Sequence, residues 1–454
     1  MKIPGILELS SRTIYGMSSR NTPIYLFRPM DTTLSPCIVG STHKDTTKNV
    51  LAIVDVLEWE PKKLTRASLV EILGPCGDYE SEQKALLMQY SKLPWKKFKK
   101  DGIVRPNKDN RIKISGYTLN IDPIGCRDID DTITFGDDGY VYITIADVSA
   151  WMAANPNHPF VDISASIGQT LYASGKAVSP LLPIEQECSL LPNEERLGVS
   201  LKFKWTGTGI TDVSFLRTIL VNTQSFTYES IYKSDRAQTI REISAYLSGH
   251  DSIDSHEWIE QFMLFYNCEA AKILVEKNRG FLRIHDAPNE DRLKLIESTL
   301  GYDTRFLAYK SAQYASVTDS KDKHHWGLDK KYYCHASSPI RRFADIVNQS
   351  ILSGQDTHDW VIKSESLNDL AKKAKRYDRD AFFLEQVMAT ESRCTNGTVL
   401  NDHRVWAPEW NRMVTCKNTA SAGTKGVLRY SLDMNQPTWK RRMVFKFEDT
   451  NCLE

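Results

Sequence analysis

The first part of the chain, residues 1 to about 90, alternates short apolar runs with polar and proline-containing stretches. Residues 23–27, 37–39 and 50–57 are rich in β-forming side chains. Short strands separated by turn signals predict a small β-barrel rather than a helical domain. A helical pattern follows at residues 80–91.

The middle of the chain opens with β patterns and continues with helices. Apolar alternation predicts strands at residues 117–122, 132–135 and 140–146, and the turn at 136–139 predicts a hairpin between the last two. Residues 256–277 predict a long helix. Its apolar positions share one face and predict core packing rather than a cofactor site: Ile259, Phe262, Met263, Tyr266, Ala270, Ile273 and Leu274.

The chain returns to short β runs from about residue 396. Turn residues separate them at 421–426, and residues 439–447 predict a basic strand with aromatic side chains. These runs predict a second small barrel.

Composition narrows the class of protein. With 454 residues, 25% charged and 41% hydrophobic, the chain predicts two to four globular domains. The net charge of +1 excludes a basic coat, so nucleic acid would need a local basic channel. Nine irregularly spaced cysteines argue against a disulfide framework or a zinc site and favour a reducing cytoplasmic or nuclear compartment. We expect no signal peptide and no membrane span.

The densest basic stretch is residues 92–100, which carries five lysines together with Trp95 and Phe98. One interpretation is a solvated linker. The other is the edge of a nucleic-acid path, with Lys96 and Lys97 as RNA contacts.

Four aspartates fall within ten residues: Asp122, Asp128, Asp130 and Asp131. Asp122 ends one predicted strand, the others precede the next, and residues 123–125 should form a tight loop between them. Carboxylates this crowded repel one another unless a cation lies among them.

Arg127 could neutralise one of these charges, and hard divalent ions such as Mg²⁺ could neutralise the rest. Two such ions would hold an attacking water and the leaving oxygen of a phosphodiester. The alternative is an acidic, solvated turn.

A second candidate cluster is centred on Arg341 and Arg342. Ser338 is a suitable N-cap and Pro339 suits the first helical position. Both arginines are therefore expected in a first helical turn, where an anion is already favoured and guanidinium adds bidentate phosphate contacts. The alternative is two surface arginines paired with acidic residues.

Five ordered stretches resemble the ribonuclease II and ribonuclease R family, whose catalytic part is the RNB domain and which includes the catalytic subunit of the eukaryotic exosome. The stretches are residues 120–131, 143–149, 188–196, 281–286 and 335–345. The resemblance implies an α+β fold in which an RNB catalytic domain, with a mixed sheet and helices, is flanked by small OB-type barrels. The implied boundaries are 1–100 for a cold-shock or OB-like region, 101–395 for the catalytic domain and 396–454 for a short OB-like domain.

The resemblance also implies an activity: hydrolysis of single-stranded RNA from the 3′ end to nucleoside 5′-monophosphates, with Mg²⁺ or alternatively Mn²⁺. Metal ligands would be Asp122, Asp128 and Asp131, and Asp130 would be the carboxylate whose loss stops cleavage. The implied RNA contacts are Tyr172 on the terminal nucleotide, Arg341 on the scissile phosphate, Arg342, and Phe281 either as an aromatic wedge or as a core residue. Asp378 stands where the family pattern has a glutamate.

Two other classes of function remain open at this stage. One is an RNA-binding protein that keeps the RNB fold without catalysis, and the other is a phosphodiesterase acting on DNA or cyclic nucleotides. The aspartates and Arg341 favour catalysis, and the paired barrels favour a polymer. The resemblance implies a monomer.

Overall fold

The computed structural model describes residues 1–58, 64–91, 98, 100–319, 323–355, 362–388, 393–433, 436 and 439–449. The N-terminal region is a closed five-stranded barrel made of β1 (Lys2–Leu7), β2 (Ile24–Pro29), β3 (Cys37–Gly40), β4 (Val50–Asp55) and β5 (Thr65–Pro75). β1 pairs with β2 and β4, and β5 closes the barrel between β3 and β4. Phe27, Val39 and Val54 fill its interior with no exposed surface. The predicted barrel is confirmed.

The helix predicted after the barrel is α1 (Tyr79–Tyr90). It begins where Asp78 accepts a hydrogen bond from the backbone N–H of Ser81, which satisfies a helix-terminal donor. Ala85 and Leu86 are buried on the face toward the rest of the protein. This helix links the barrel to the middle region.

The middle region contains the following elements in chain order: β6 (Ile112–Lys113), β7 (Gly116–Ile121), β8 (Asp131–Gly136), β9 (Val141–Ala146), α2 (Val148–Ala154), α3 (Pro159–Ile167), β10 (Leu171–Ala173), β11 (Lys176–Ser179), α4 (Glu185–Cys188), β12 (Glu195–Trp205), β13 (Ile210–Val221), β14 (Gln224–Phe226), α5 (Ala237–Ser248), α6 (Ser255–Glu276), β15 (Phe281–Ile284), α7 (Glu290–Leu300), β16 (Gln313–Ser316), α8 (Phe343–Leu352) and α9 (Ser364–Met388). Short 3₁₀ helices lie at Ile231–Lys233, Tyr302–Ala308 and Trp326–Leu328.

A seven-stranded mixed sheet organises this region, in the order β14-β7-β8-β9-β12-β13-β6. The hairpin predicted from the sequence is the β8–β9 pair. The helix predicted at 256–277 is α6, and it packs on the sheet through Phe262, Tyr266, Ala270 and Leu274, which have no exposed surface. The predicted packing of the helix in the core is confirmed for these four residues, whereas Met263 is only half-buried.

The C-terminal elements are β17 (Cys394–Asn401), β18 (Arg404–Ala407), β19 (Arg412–Thr415), β20 (Lys425–Leu432), α10 (Trp439–Arg442) and β21 (Met443–Asp449), with a 3₁₀ turn at Pro408–Trp410. They form an antiparallel sheet in the order β19-β18-β17-β20-β21. The sheet is curled, so that Cys416 Sγ, next to the edge strand β19, lies 3.5 Å from the carbonyl oxygen of Phe445 on the other edge strand, β21. No β-ladder joins these two edge strands among the residues described. Instead of a closed second barrel, the structure has a curled sheet, and the expected strand at 439–447 begins with a helical turn that buries Trp439.

The N-terminal barrel and the C-terminal sheet meet at α1 and α9. Asp380 on α9 is buried and accepts hydrogen bonds from three elements through Tyr90 (2.9 Å), Arg412 (3.0 Å) and Lys440 (2.6 Å). A second buried ion pair joins Glu82 on α1 to Arg442 on α10. These contacts fix the barrel and the C-terminal sheet to the middle region.

Among the helices described, none has the length and apolar character needed to cross a bilayer. The cysteines of the described residues form no disulfide.

Candidate active site

A cavity of about 1220 Å³ opens beside the end of the seven-stranded sheet. Its walls come from the loop between β7 and β8, the β10–β11 turn, the start of α4, one face of α6 and residues 337–342. It brings together seven of the residues selected from the sequence: Asp122, Asp128, Asp130, Asp131, Tyr172, Arg341 and Arg342. The volume exceeds the roughly 300–1,000 Å³ of ordinary small-molecule pockets, which favours a polymeric ligand.

The aspartate loop has the tight form that the sequence predicts. β7 ends at Ile121 and β8 begins at Asp131, and the two strands are hydrogen-bonded neighbours. The loop turns where the N–H of Cys126 donates to the carbonyl oxygen of Pro123 at 3.1 Å, next to Gly125 with a φ of 81°. That backbone conformation favours glycine. Both ends of the loop therefore reach the same edge of the sheet.

Asp130 is the most firmly held of the four carboxylates. It is 5% exposed, and its Oδ1 accepts from the backbone N–H of Ile340 at 2.9 Å. Its Oδ2 lies 3.4 Å from Nε of Arg341. Burial raises the pKa of Asp130 to about 7, although Arg341 and the Ile340 N–H favour the ionised form.

Asp122 and Asp131 are half-buried carboxylates, and the charge of Asp122 acts on Asp131. Burial raises the pKa of both groups. The charge of Asp128 adds to this effect at Asp122, and the charges of Asp122 and Asp130 add to it at Asp131, whereas Arg341 opposes it at both. Asp122 accepts from the side-chain amide of Asn120 at 2.8 Å. Within the described residues, neither carboxylate forms an ion pair, and Arg127 is exposed and forms none either. Arg341, rather than Arg127, is the cation at this cluster.

The donor set suits a hard divalent cation, since such ions prefer carboxylate oxygens and would relieve the repulsion. In the part of the chain that the structure describes, however, no three Asp, Glu, His or Cys side chains are gathered as ligands around one point. Asp128 has already engaged one oxygen, because Tyr172 donates its hydroxyl hydrogen to Oδ2 at 2.6 Å. The residues fit a metal in chemistry and location, and binding would require their side chains to turn toward it.

The two arginines reach the cavity by a different local structure from the one predicted. Ser338 does not cap a helix that contains them, because α8 begins at Phe343 and residues 339–341 form a turn. Asp345 is the reason: its Oδ1 accepts from the N–H of Ser338 at 2.8 Å and from Arg342 at 2.8 Å, which holds the turn outside the helix. Arg341 is steadied by the Ser338 hydroxyl oxygen at 2.9 Å and keeps 47% of its side chain exposed.

Two further residues named in the sequence analysis, Phe281 and Asp378, do not line the cavity. Phe281 is 8% exposed and packs with Ile340 and Phe343 in the hydrophobic core, so it is a core residue and not a wedge in the cavity. Its place is fixed by β15, where its N–H donates to Asn348 at 2.9 Å. Asp378 is exposed on α9 and does not line the cavity. Lys96 and Lys97 lie outside the described residues.

The cavity also contains residues that the sequence did not single out. Glu185 lies at the start of α4, where burial and the charge of Asp128 raise its pKa to about 7. Tyr228 stands near Asp122 and Asp131, and burial together with these charges raises its pKa to about 12. Lys176, the first residue of β11, lines the cavity as well. Proximity to the 188–196 stretch could have suggested Glu185, but no sequence signal marks Tyr228.

Solved structures share this architecture. RNase R of Mycoplasma genitalium, in complex with ribose-methylated single-stranded RNA, superposes over 98% of this chain and all of its own chain, with a TM-score of 0.70 and 14% identity. Yeast Ssd1, described as a pseudonuclease, covers 94% of this chain and 66% of its own, with a TM-score of 0.67 and 15% identity. Likeness at these identities establishes the fold.

Sequence relatives agree with the fold. The exosome complex exonuclease RRP44 of Mus musculus is 23% identical over 82% of this chain and 49% of its own length. Ribonuclease R of Chlamydia muridarum is 24% identical over 58% of this chain and 48% of its own. The chain thus spans about half the length of these relatives.

Family matches cover both the barrel and the cavity. Residues 24–91 match the Dis3-like cold-shock domain 2. Residues 111–243 and 235–355, more than half of the chain, match the RNB domain. The chain therefore belongs to the RNB exoribonuclease family.

Proposed function

We propose that this protein is a processive 3′-to-5′ exoribonuclease that hydrolyses single-stranded RNA to nucleoside 5′-monophosphates. The observation that carries the proposal is the convergence of four aspartates, Arg341 and Tyr172 on one cavity of about 1220 Å³. Carboxylates, a guanidinium and an aromatic ring are the groups needed to cleave a phosphodiester and to position a terminal nucleotide. The names of the relatives, exonuclease and ribonuclease, support the same activity.

For the cofactor we propose Mg²⁺, with Mn²⁺ as the alternative, held by Asp122, Asp128 and Asp131. Bound divalent ions would activate water and stabilise the charge on the attacking and leaving oxygens. The support is the half-buried pair Asp122 and Asp131: the charge of Asp122 raises the pKa of Asp131, and neither carboxylate forms an ion pair among the described residues. The hydroxyl of Tyr172 would have to leave Asp128 before that carboxylate could serve as a ligand.

The chain's own groups have separate tasks in this proposal. Arg341 has enough exposed guanidinium to donate to a scissile phosphate while its Nε stays near Asp130. Asp130 cannot rotate freely, because the Ile340 N–H holds one oxygen, and its other oxygen therefore orients Arg341. Tyr172 lies on the cavity wall, where its ring can stack on the last nucleotide. Arg342 acts mainly through Asp345, by holding the turn that presents Arg341.

The second candidate is an RNA-binding protein without nuclease activity. It is favoured by the likeness to the pseudonuclease Ssd1 and by the carboxylates' lack of convergence as metal ligands. The presence of all four aspartates with Arg341 at one cavity favours the enzyme.

Three substrates distinguish the candidates when incubated with the protein and Mg²⁺: linear single-stranded RNA, DNA of the same sequence and circular RNA. Degradation of linear RNA alone supports the proposal. Cleavage of the circle would overturn the exonuclease, and cleavage of DNA would favour a broader phosphodiesterase. Retained RNA binding without cleavage would favour the inactive protein.

We also propose that the protein acts as a monomer in a reducing intracellular compartment, cytoplasmic or nuclear. The support for the compartment is that the cysteines of the described residues form no disulfide.

A further inference from the structure

A second cavity, of about 400 Å³, lies on the face of α6 next to the one that lines the catalytic cavity, and we call it the lysine pocket. Its lining includes Gln261, Leu264, Phe265 and Cys268, which recur on α6 at the spacing of one helical face. The loop at 330–332 forms the opposite wall. This size falls within the range of pockets that hold one small organic molecule.

The walls combine apolar and aromatic surface with one polar side chain. Leu247, Leu264, Phe265 and Tyr332 line it, and the last two offer ring faces or edges to a flat ligand. Gln261 forms no hydrogen bond with another residue among those described, so its amide can still donate to and accept from the edge of a ligand. A flat, partly polar ring system such as a nucleobase fits these walls.

Three lysines surround the opening, and their charges are unequally neutralised. Lys272 is paired with Glu269 at 2.6 Å. Lys330 and Lys331 are exposed and form no ion pair in the described part of the chain, and Lys331 Nζ lies 5.1 Å from the Tyr332 ring centroid. Asp329, the nearest acid in sequence, is turned to solvent beside His324 at 3.5 Å. Lys330 and Lys331 therefore form a positively charged rim around the opening, and this rim attracts an anion.

The lysine pocket adjoins the catalytic cavity through two shared elements. Leu264 lines both cavities. Leu328 and Tyr333 line the catalytic cavity, and the residues between them supply the lysine pocket. A ligand that leaves or enters the catalytic cavity along this loop would meet the lysine pocket next.

We propose that the lysine pocket binds one nucleotide, with its base between Phe265 and Tyr332 and its phosphate at Lys330 and Lys331. The inference deepens the proposed function, because an RNA exonuclease supplies this chemistry from two sources. One source is an upstream nucleotide of the bound RNA, and the other is the released nucleoside 5′-monophosphate. Both share a base and a phosphate, which the apolar walls and the lysines recognise together.

Alkylation of cysteines in the full chain tests this directly, because Cys268 lines the lysine pocket and Cys126 lines the catalytic cavity. The protein is treated with a maleimide in EDTA, so that RNA stays intact, and modification of each cysteine is followed by peptide mass spectrometry. The ligands are 5′-AMP, adenosine and a single-stranded RNA of about ten nucleotides. We expect at least threefold slower modification of Cys268 with 5′-AMP or RNA, and a smaller effect with adenosine.

The pattern of protection identifies the source of the nucleotide. Protection of Cys268 by 5′-AMP indicates the product, and protection by RNA alone indicates the upstream nucleotide. If neither ligand protects Cys268, or if adenosine protects as well as 5′-AMP, the inference is overturned. Protection of Cys126 by RNA without protection of Cys268 would overturn nucleotide binding at the lysine pocket while leaving the proposed nuclease intact. Protection of Cys268 without any RNA cleavage would overturn the proposed nuclease while leaving nucleotide binding at the lysine pocket intact.

A pair of charge variants makes the result independent of thiol reactivity. Lys330→Ala with Lys331→Ala should weaken 5′-AMP or RNA binding in calorimetry by at least fivefold. The matched control is Lys233→Ala with Lys294→Ala, two exposed lysines that line neither cavity, and it should leave binding unchanged. Equal binding by both double variants would contradict the assigned role of the rim.

Discussion

The backbone N–H of Ile340 donates to Oδ1 of Asp130 at 2.9 Å, joining two loops that lie 210 residues apart in the chain. The next residue, Arg341, approaches the other oxygen of the same carboxylate. One buried carboxylate thus sets the position of the arginine that faces the cavity. Both groups are held before any substrate is bound, which is the kind of preorganisation that phosphodiester chemistry needs.

Asp130→Asn should abolish turnover while leaving RNA affinity within about tenfold, roughly 1.4 kcal/mol. The amide keeps the shape and can still accept from Ile340, but it removes the negative charge beside Arg341. Single-turnover cleavage and equilibrium RNA binding measure the two effects separately. Asp137→Asn, at an exposed turn position, is the matched control. An Asp130→Asn protein as active as the wild type would remove this carboxylate from the mechanism.

Two substitutions at Tyr172 separate stacking from hydrogen bonding. Tyr172→Phe removes only the hydroxyl that donates to Asp128 and keeps the ring, so RNA affinity should stay unchanged. Tyr172→Ala also removes the ring and should weaken RNA binding by about 1–3 kcal/mol, the value of one stacked base. Binding is measured in EDTA to prevent cleavage. Equal affinity of the Phe and Ala variants would show that the ring does not contact RNA.

The sequence predicted the aspartate loop correctly, because residues close together in the chain determine its conformation. Asp122 and Asp131 lie at the two ends of the loop that joins the neighbouring strands β7 and β8, so a tight turn was enough to place both at the same end of the sheet. The start of α8 was mispredicted because Ser338 and Pro339 have the composition of a helix start, whereas Asp345 holds that segment in a turn. A contact seven residues away decides between the two conformations, and residue preferences at the helix start do not report it.

The other differences between the predicted and the observed structure arise from contacts between residues that lie far apart in the sequence. Phe281 has the chemistry of a base-stacking residue, but it is buried with Ile340 and Phe343 from a distant segment. Tyr228 and Glu185 reach the cavity from separate elements with no shared spacing. In the C-terminal region, short β runs predicted strands, but they could not show whether the edges of a sheet would pair.

The buried pair between Glu82 and Arg442 gives a prediction about stability. Their side chains are 1% and 4% exposed, so Glu82→Gln leaves a buried guanidinium without its counter-charge. We expect a loss of about 3–5 kcal/mol in urea unfolding. The double variant Glu82→Leu with Arg442→Met should lose less than Glu82→Gln alone, because no buried charge remains.

The control for this pair is Asp369→Asn, which breaks an exposed pair with Lys372 and should change stability by no more than about 1 kcal/mol. A double variant less stable than Glu82→Gln would show that apolar packing at the site cannot replace the ion pair.

Acid should destabilise the fold through His325. Burial, with the nearby charges of His285 and Arg283, lowers the pKa of His325 from 6.5 to about 4. The unfolded chain therefore takes up a proton that the folded protein excludes. The contribution to stability is complete above pH 6.5, falls as the pH drops toward about 4, and changes no further below that.

His325→Asn should flatten this pH dependence, measured as the urea midpoint between pH 7 and pH 5. Some dependence should remain, because burial lowers the pKa of His335 as well. His403→Asn, at an exposed position, serves as the control and should keep the slope of the wild type. An unchanged slope in His325→Asn would exclude this histidine as a source of acid sensitivity.

One time course measures the direction and the product of RNA degradation. A linear RNA that carries distinguishable isotopic labels in its first and last nucleotides is incubated with the protein and Mg²⁺. We expect the 3′-terminal label to appear first, as a nucleoside 5′-monophosphate, and the 5′ label to stay in a short end fragment. No release should occur in EDTA. Release of the 5′ label before the 3′ label, or a fragment that keeps the original 3′ end and has a new 5′ end, would contradict the proposed activity.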